Sequence, residues 1–129
     1  MVEENDYFLD FGSMGSKTVL RMLTKYGFAE TASLMACKRK SPSWISWINK
    51  GYTSLPETWV LSPDFRDASL DHVFFGDISA WLVNDIVGIK ADEASPGFEN
   101  IVIAPNFVSS LKEASTSYSP VLRDRKSVV

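Results

Sequence analysis

Helix signals occupy roughly the first 90 of the 129 residues, and strand signals appear only after them. One or two strands at the end of a chain have no partners with which to complete a sheet. An isolated pair of strands is marginally stable in water, so these strands need either the preceding helices or a missing remainder. The order of elements therefore predicts a mainly α segment of a larger fold rather than a complete α+β domain.

Four helices are expected from apolar spacing and from end signals. The first covers residues 18 to 26 and ends at Gly27, and the second runs from about Ala29 to Lys40, before Pro42. Glycine after a helix favours the left-handed C-terminal position, and proline stops a helix. The third and fourth helices cover Ser43–Lys50, closed by Gly51, and Asp71–Gly88, whose predicted buried face holds Phe75, Ile78, Leu82, Ile86 and Ile89.

The pattern changes after Asp92. The run FENIVIAP, residues 98 to 105, alternates apolar and polar or smaller residues between prolines, which predicts a strand. A weaker alternation in KEASTSYSPVL, residues 112 to 122, indicates a further strand. We therefore predict a helical unit over residues 1–90 and the start of an incomplete β-sandwich over residues 91–129.

Composition excludes several classes of protein. A hydrophobic fraction of 45% is ordinary for a globular chain, and the net charge of -3 argues against a nucleic-acid-binding surface. The basic run Lys38-Arg39-Lys40 is read as the positive end of the second helix. No stretch has the roughly 20 apolar residues that a membrane span needs.

The chain has one cysteine and one histidine, which excludes an intrachain disulfide and a Cys/His metal site. No cofactor or metal is therefore expected. Cys37 lies in an apolar run, which predicts a small packed side chain. The acidic start MVEENDYF lacks the order of a signal peptide, so localisation stays open with the cytoplasm slightly favoured.

Glu57 is the first candidate for chemistry. The run Ser54-Leu55-Pro56-Glu57 matches a helix capping box, in which the acidic side chain reaches back to the backbone N–H of the serine. The local pattern favours this structural interpretation. The functional alternative is a carboxylate beside Trp47 and Trp59, an arrangement that sugar sites use because indoles stack on apolar sugar faces.

His72, fifteen residues after Glu57, is the second candidate. A histidine at the start of a helix is more often structural than catalytic, and neither a partnered serine nor a reactive cysteine is in view to form a hydrolytic triad. His72 can still donate a hydrogen bond to a substrate hydroxyl.

Four blocks in order carry a family resemblance. They are LDFGSMGSKTVLRMLTKYGFAETA, PSWISWINKGYTSLPETW, SLDHVFFGDISAWL with NDIVGI, and PGFENIVIAPNF. Over residues 8 to 118 this order resembles the C-terminal end of the catalytic region of bacterial α-L-rhamnosidases, glycoside hydrolase family 78. The resemblance implies the last helices of an (α/α)6 toroid followed by the first strands of a C-terminal β-sandwich.

The resemblance also implies roles for single residues. Members of this family are inverting hydrolases with two carboxyl groups, one acting as the acid and one as the base. Glu57 matches the general base and His72 a histidine that contacts rhamnose, while Trp47 and Trp59 are sugar-facing rings. The block that carries the family's general acid has no counterpart in Met1–Leu9, and the tail VLRDRKSVV departs from the family pattern.

Two functional hypotheses follow. The first is a fragment of an inverting α-L-rhamnosidase that binds a rhamnose-containing glycan or glycoside and cannot hydrolyse it alone. The second is a structural or sugar-binding remnant without catalysis, which self-associates through the exposed helix face of residues 73–89. Neither nucleic acid nor a membrane is expected as a partner, and the sequence does not choose among rhamnosides.

Overall fold

A computed structural model describes residues 2–60 and 68–119 of the protein, and the side chain of Pro96 is not described. The described part is mainly helical and carries one small sheet. Its elements in chain order are α1 (Ser13–Ser16), α2 (Val19–Lys25), α3 (Ala29–Ala36), α4 (Trp44–Asn49), a 3-10 turn (Val73–Gly76), α5 (Asp77–Trp81), a π-helix (Leu82–Val87), β1 (Ile89–Ala91), a second 3-10 turn (Pro96–Phe98) and β2 (Ile101–Ile103).

The first predicted helix is confirmed as α2, and a single turn, α1, precedes it. Gly27 has a φ of 87°, which is the left-handed conformation predicted for it, and it lets the chain turn directly into α3. Helices α2 and α3 pack against each other, and they bury Leu20, Ala32 and Met35.

The second helix was predicted four residues too long. It ends at Ala36 rather than Lys40, and Cys37 is exposed rather than packed. Lys38 therefore does not complement a helix end. Its ammonium group lies 2.7 Å from the Asp6 carboxylate and 4.4 Å from the centre of the Phe8 ring, so it ties the N-terminal segment to the end of α3.

Helix α4 confirms the third prediction. The Ser43 hydroxyl accepts a hydrogen bond from the Ser46 backbone N–H at 2.9 Å, as an N-cap residue does, and Gly51 ends the helix with a φ of 81°. Trp44 and Trp47 project from the buried face of α4, whereas Ile48 is 65% exposed.

The prediction of one regular helix over residues 71–88 was wrong. The segment is a 3-10 turn, then α5, then a π-helix, although it does end at Gly88. The wider π turn changes which positions face the core. Ile86 is buried as predicted, but Leu82 is exposed and the carboxylate-bearing Asp85 is buried instead.

Asp85 is stabilised by two contacts in its buried position. The Lys90 ammonium lies 2.8 Å from its Oδ1, and its backbone carbonyl accepts a hydrogen bond of 2.7 Å from the Asn106 side chain. The buried carboxylate needs its Lys90 partner, since an unpaired charge away from water is strongly unfavourable. The contacts also tie the π-helix to the segment after β2.

The sheet is an antiparallel pair, in which Ile89 faces Ile103, Lys90 faces Val102 and Ala91 faces Ile101. The strand predicted over residues 98–105 is therefore three residues long, and its partner β1 was missed because residue 89 was assigned to the long helix. Residues 112–119 form no strand, which corrects that part of the prediction, and residues 120–122 lie outside the described residues.

Gly88 joins the helical part to the sheet. Its φ is 83°, and a Cβ atom placed there would lie 2.1 Å from the Ala104 carbonyl oxygen. Only glycine fits such a close backbone approach. The predicted boundary between residues 90 and 91 falls within β1, and the division into two domains stays a prediction.

Candidate functional site

Two loop segments carry the predicted site residues, and the backbone holds them side by side. We call residues 54–57 and 69–72 the paired loops. The His72 N–H donates to the Leu55 carbonyl at 2.7 Å, and the Glu57 N–H donates to the Ser69 carbonyl at 2.8 Å. The two segments thus run antiparallel, which places Glu57 and His72 on adjacent strands of backbone although they are fifteen residues apart in sequence.

Glu57 does not cap a helix. No helix begins in residues 54–60, so the capping-box interpretation was wrong. The Ser54 hydroxyl donates instead to the Leu70 carbonyl across the paired loops. Oε2 of Glu57 accepts the Ser69 backbone N–H at 3.0 Å, and the side chain is exposed. Among the described residues, Oε1 has no hydrogen-bond donor.

His72 is half-buried beside an open depression of about 660 Å³. Its ring stands edge-on to Phe74, with 5.1 Å between the ring centres. Its Nδ1 is buried and has no hydrogen-bond partner in the described part of the chain. The depression is also lined by Lys17, Asp71 and Asp77, but not by Glu57.

The two tryptophans lie in different environments. Trp47 is 2% exposed, so its ring offers no free face to a ligand in this structure. It stacks on Trp59 at a centroid distance of 4.7 Å, and its indole N–H donates to the Trp59 carbonyl at 3.2 Å. Trp59 is half-buried, and its own indole N–H donates to the Phe11 carbonyl.

A buried aromatic cluster supports both loops. We use this name for Phe11, Trp44, Trp47, Trp59 and Phe75, whose rings meet at centroid distances of 4.4 to 6.4 Å. Trp59 follows Glu57 by two residues, and Phe75 follows His72 by three. Because Trp59 and Phe75 contact each other at 4.4 Å, the cluster fixes the outgoing end of each paired loop.

Two polar contacts anchor the turn after His72, and sequence reasoning missed them. The Ser16 hydroxyl, which is buried, donates to the Phe74 carbonyl at 3.0 Å. Arg21 forms a bidentate pair with Asp77, the first residue of α5, at 2.9 and 3.0 Å. Arg21 and Asp77 are 56 residues apart, and no local pattern links them. Only the packing of α2 against α5 brings them together.

The described residues contain no cluster of three or more His, Cys, Asp or Glu side chains suited to a metal ion. Within residues 2–60 and 68–119, every helix is too short or too polar to cross a bilayer. Hydrogen bonds from the Ser109 hydroxyl and backbone N–H lower the pKa of the exposed Glu30 carboxyl below its usual 4.5.

Comparison with known proteins gives a consistent result. The model of the bacterial α-L-rhamnosidase six-hairpin glycosidase domain matches residues 1–86. An α-L-rhamnosidase of Streptomyces avermitilis is 29% identical over 92% of this chain, and one of Alteromonas sp. is 30% identical over 91%. The chain covers only 12% and 13% of those two relatives.

Solved structures show the same relationship. The α-L-rhamnosidase of Dictyoglumus thermophilum matches 84% of this chain with a TM-score of 0.76 and 29% identity. The Streptomyces avermitilis enzyme, in a crystal structure complexed with L-rhamnose, matches 83% with a TM-score of 0.74 and 29% identity. This chain covers 12% and 11% of those two chains. Its helices therefore form part of an (α/α)6 barrel, and the chain belongs to the bacterial α-L-rhamnosidase six-hairpin glycosidase family.

Proposed function

We propose that this chain supplies the base-bearing part of an inverting α-L-rhamnosidase site, with Glu57 as the general base. The observation that supports the proposal most is the pairing of the loops that carry Glu57 and His72. Two side chains suited to sugar chemistry leave adjacent backbone segments, and the buried aromatic cluster supports both segments. A rigid support of this kind is what a catalytic group needs to hold its position.

The hydrogen bonding of Glu57 suits a base. The Ser69 N–H fixes Oε2 at 3.0 Å and thereby orients the carboxylate. In this proposal Oε1 takes a proton from a water molecule. That water attacks the anomeric carbon as the glycosidic bond breaks, and an acid on the opposite face protonates the leaving oxygen. In inverting glycosidases the two carboxyl groups stand about 6.5–9.5 Å apart.

We propose that the general acid comes from outside these 129 residues. Removal of an acid or a base typically lowers a rate by about 10²- to 10⁴-fold. The isolated chain should accordingly show no useful hydrolysis of an aryl α-L-rhamnoside. Rapid release of the phenol by the purified chain would contradict this part of the proposal.

His72 and Trp59 are proposed to contact the sugar. The imidazole of His72 borders the 660 Å³ depression and can donate a hydrogen bond to a rhamnose hydroxyl. Trp59 is half-buried, so part of its ring can contact an apolar sugar face. Trp47 was expected to face the sugar directly. Its 2% exposure supports a role beneath Trp59, whose ring it stacks against.

A graft tests the role of Glu57. Residues 8–118 of this chain replace the matching segment of the Streptomyces avermitilis α-L-rhamnosidase, which supplies the rest of the barrel. Glu57→Gln should lower kcat of an active graft by about 10²- to 10⁴-fold with little change in stability. The amide oxygen of glutamine can still accept the Ser69 N–H, so only the proton chemistry is removed.

Glu113→Gln is the matched control, because Glu113 is also exposed and has no assigned role. It should leave kcat of the graft unchanged. A Glu57→Gln graft that keeps more than about half of the parent kcat would exclude Glu57 as the base, since base removal costs at least about 10²-fold.

A sugar-binding remnant without catalysis is the second candidate, because the depression beside His72 is present in the chain by itself. Titration with L-rhamnose, followed on the ring signals of the single histidine, separates the two candidates. The non-catalytic remnant would be favoured by two results together. The His72 signals of the isolated chain would shift saturably with L-rhamnose, and Glu57→Gln would leave kcat of an active graft unchanged.

A further inference from the structure

Helix α4 carries two buried indoles, Trp44 and Trp47, which are 5% and 2% exposed. The two residues are three positions apart, so their side chains lie on the same face of the helix. A buried indole usually donates its N–H to a partner, because an unpaired polar group away from water is unfavourable. The acceptors of the two N–H groups therefore show which segments α4 holds in place.

The first acceptor belongs to the segment that carries Glu57. The Trp47 indole N–H donates to the Trp59 carbonyl at 3.2 Å, and Trp59 follows Glu57 by two residues. No backbone N–H of the described residues donates to that carbonyl. The indole of Trp47 is thus the group that holds the backbone directly after Glu57.

The second acceptor belongs to the segment that carries His72. The Trp44 indole N–H donates to the Phe75 carbonyl at 3.0 Å, and Phe75 follows His72 by three residues. Phe75 is fully buried in the 3-10 turn that begins directly after His72. The centres of the His72 and Phe75 rings are 6.5 Å apart. The position of Phe75 therefore affects both the backbone and the ring of His72.

Packing contacts do not assign the two indoles to different loops. The rings of Trp44 and Trp47 both contact the Trp59 ring, at 4.9 and 4.7 Å between ring centres. Both also contact the Phe75 ring, at 6.3 and 5.0 Å. Only the hydrogen bonds divide the indoles, with one donor for each of the paired loops.

We propose that Trp47 and Trp44 are positioning residues, whose indole N–H groups fix the separation between Glu57 and His72. Because both donors project from one helix, α4 sets the distance between the two loop ends as a single body. A site needs its groups within about 0.5 Å of the productive geometry. This inference rests on the proposed roles of Glu57 and His72, and it requires no contact between Trp44 or Trp47 and the sugar.

Trp81 offers a matched control. It is 2% exposed, as Trp47 is, and its indole N–H donates to the Thr24 hydroxyl at 2.9 Å. Thr24 lies in α2, outside the paired loops. Trp81→Phe therefore removes a buried ring and an indole hydrogen bond of the same kind without touching either loop.

The kinetics of the graft test the division between the loops. Trp47→Phe should lower kcat about tenfold or more with little change in KM, because a misplacement of about 1 Å can cost about 10²-fold in rate. Trp44→Phe should raise KM about three- to tenfold with little change in kcat, because it weakens a binding contact of His72. Trp81→Phe should leave both constants as in the parent graft.

A second substitution separates the hydrogen bond from the packing. Benzothienylalanine has a ring system of nearly the size of indole, with a sulfur atom in place of the N–H. In the 129-residue chain this analogue at Trp47 should shift the NMR signal of the Ser69 amide, which donates to Glu57. At Trp44 it should shift the ring signals of His72 instead.

These NMR signals do not depend on hydrolysis, so they separate the inference from the proposed function. A Glu57→Gln graft with the parent kcat would overturn the base, whereas the NMR shifts would still report the positioning.

Three results would overturn the inference. Parent kcat and KM in grafts that carry the analogue would show that the N–H groups are dispensable. Shifts of the Ser69 and His72 signals by the same amount from either position would show that the indoles are not divided between the loops. A loss of kcat in Trp81→Phe equal to that in Trp47→Phe would show a general effect of stability.

Discussion

The paired loops and the β1–β2 sheet are both short stretches of antiparallel backbone, yet they are stabilised in different ways. The paired loops continue directly into Trp59 and Phe75, whose rings pack in the buried aromatic cluster. Strand β2 buries none of its three residues. Backbone pairing alone therefore does not make a rigid site. The loops that carry Glu57 and His72 are held by the packed rings of Trp59 and Phe75, whereas all three side chains of β2 are exposed.

The largest expected effect is on the cluster beneath the loops. Trp47→Ala removes a ring that is 2% exposed, and truncation of a buried tryptophan typically costs about 3–5 kcal/mol of unfolding free energy. Chemical denaturation should show this loss. Ile48→Ala on the same helix is the control, and it should change stability by less than about 0.5 kcal/mol because Ile48 is 65% exposed. Equal losses of stability in the two variants would show that the buried aromatic cluster does not support the site.

Gly88→Ala tests whether the β1–β2 sheet can unfold independently of the paired loops. The new Cβ would meet the Ala104 carbonyl oxygen at 2.1 Å, and we expect a loss of about 3 kcal/mol or more. Gly27→Ala has the same sign of φ with nothing within 4 Å, so it should cost only about 1–2 kcal/mol. If the substitution unfolds only the β1–β2 sheet, the NMR signals of the His72 ring should stay unchanged in Gly88→Ala. A similar cost for both glycines would contradict the close approach of Gly88 to residue 104.

Helices α2 and α4 and their glycine ends were predictable, because apolar spacing and end signals are local. The change from α5 to the π-helix was not predictable, because the apolar residues of 73–89 also fit one regular helix. At the site, Glu57, His72, Trp47 and Trp59 were named from local blocks and the family resemblance, and their functional roles stay predictions. The contacts of Ser16 and Arg21 with the turn after His72 depend on packing between distant segments, which no single-sequence pattern records.

Arg21→Gln tests how firmly the turn after His72 is anchored. The variant loses the bidentate pair with Asp77, which is partly exposed, so the expected cost is about 1 kcal/mol or less. The NMR signals of the His72 ring should shift, because Asp77 begins α5 directly after the turn and lines the same depression as His72. Arg39→Gln is the control, since Arg39 is exposed and has no ion pair among the described residues. An unchanged His72 signal in Arg21→Gln would show that the pair does not position the loop.

The smallest effect concerns the segment after the sheet. Glu30 accepts hydrogen bonds from Ser109, and these lower the pKa of its carboxyl group below 4.5. A lowered folded-state pKa stabilises the contact above the unfolded-state pKa, and the contact is lost as pH falls through the lowered value. The protection of the Ser109 amide, measured as its exchange rate relative to the intrinsic rate at each pH, should therefore decrease only below about pH 4.5. In Glu30→Gln the protection of the Ser109 amide should show no decrease in this pH range. An equal decrease in both proteins would exclude Glu30 as its cause.

Chemical rescue tests the role of Glu57 most directly. Azide attacks an anomeric carbon without losing a proton, so it needs no general base. In the grafted enzyme, Glu57→Ala should hydrolyse an aryl α-L-rhamnoside very slowly. Added azide should raise its rate and yield the β-L-rhamnosyl azide, identified by NMR. A Glu57→Ala graft that hydrolyses as fast as its parent, or that gains nothing from azide while Glu113→Ala behaves as the parent does, would contradict the assignment of Glu57 as the base.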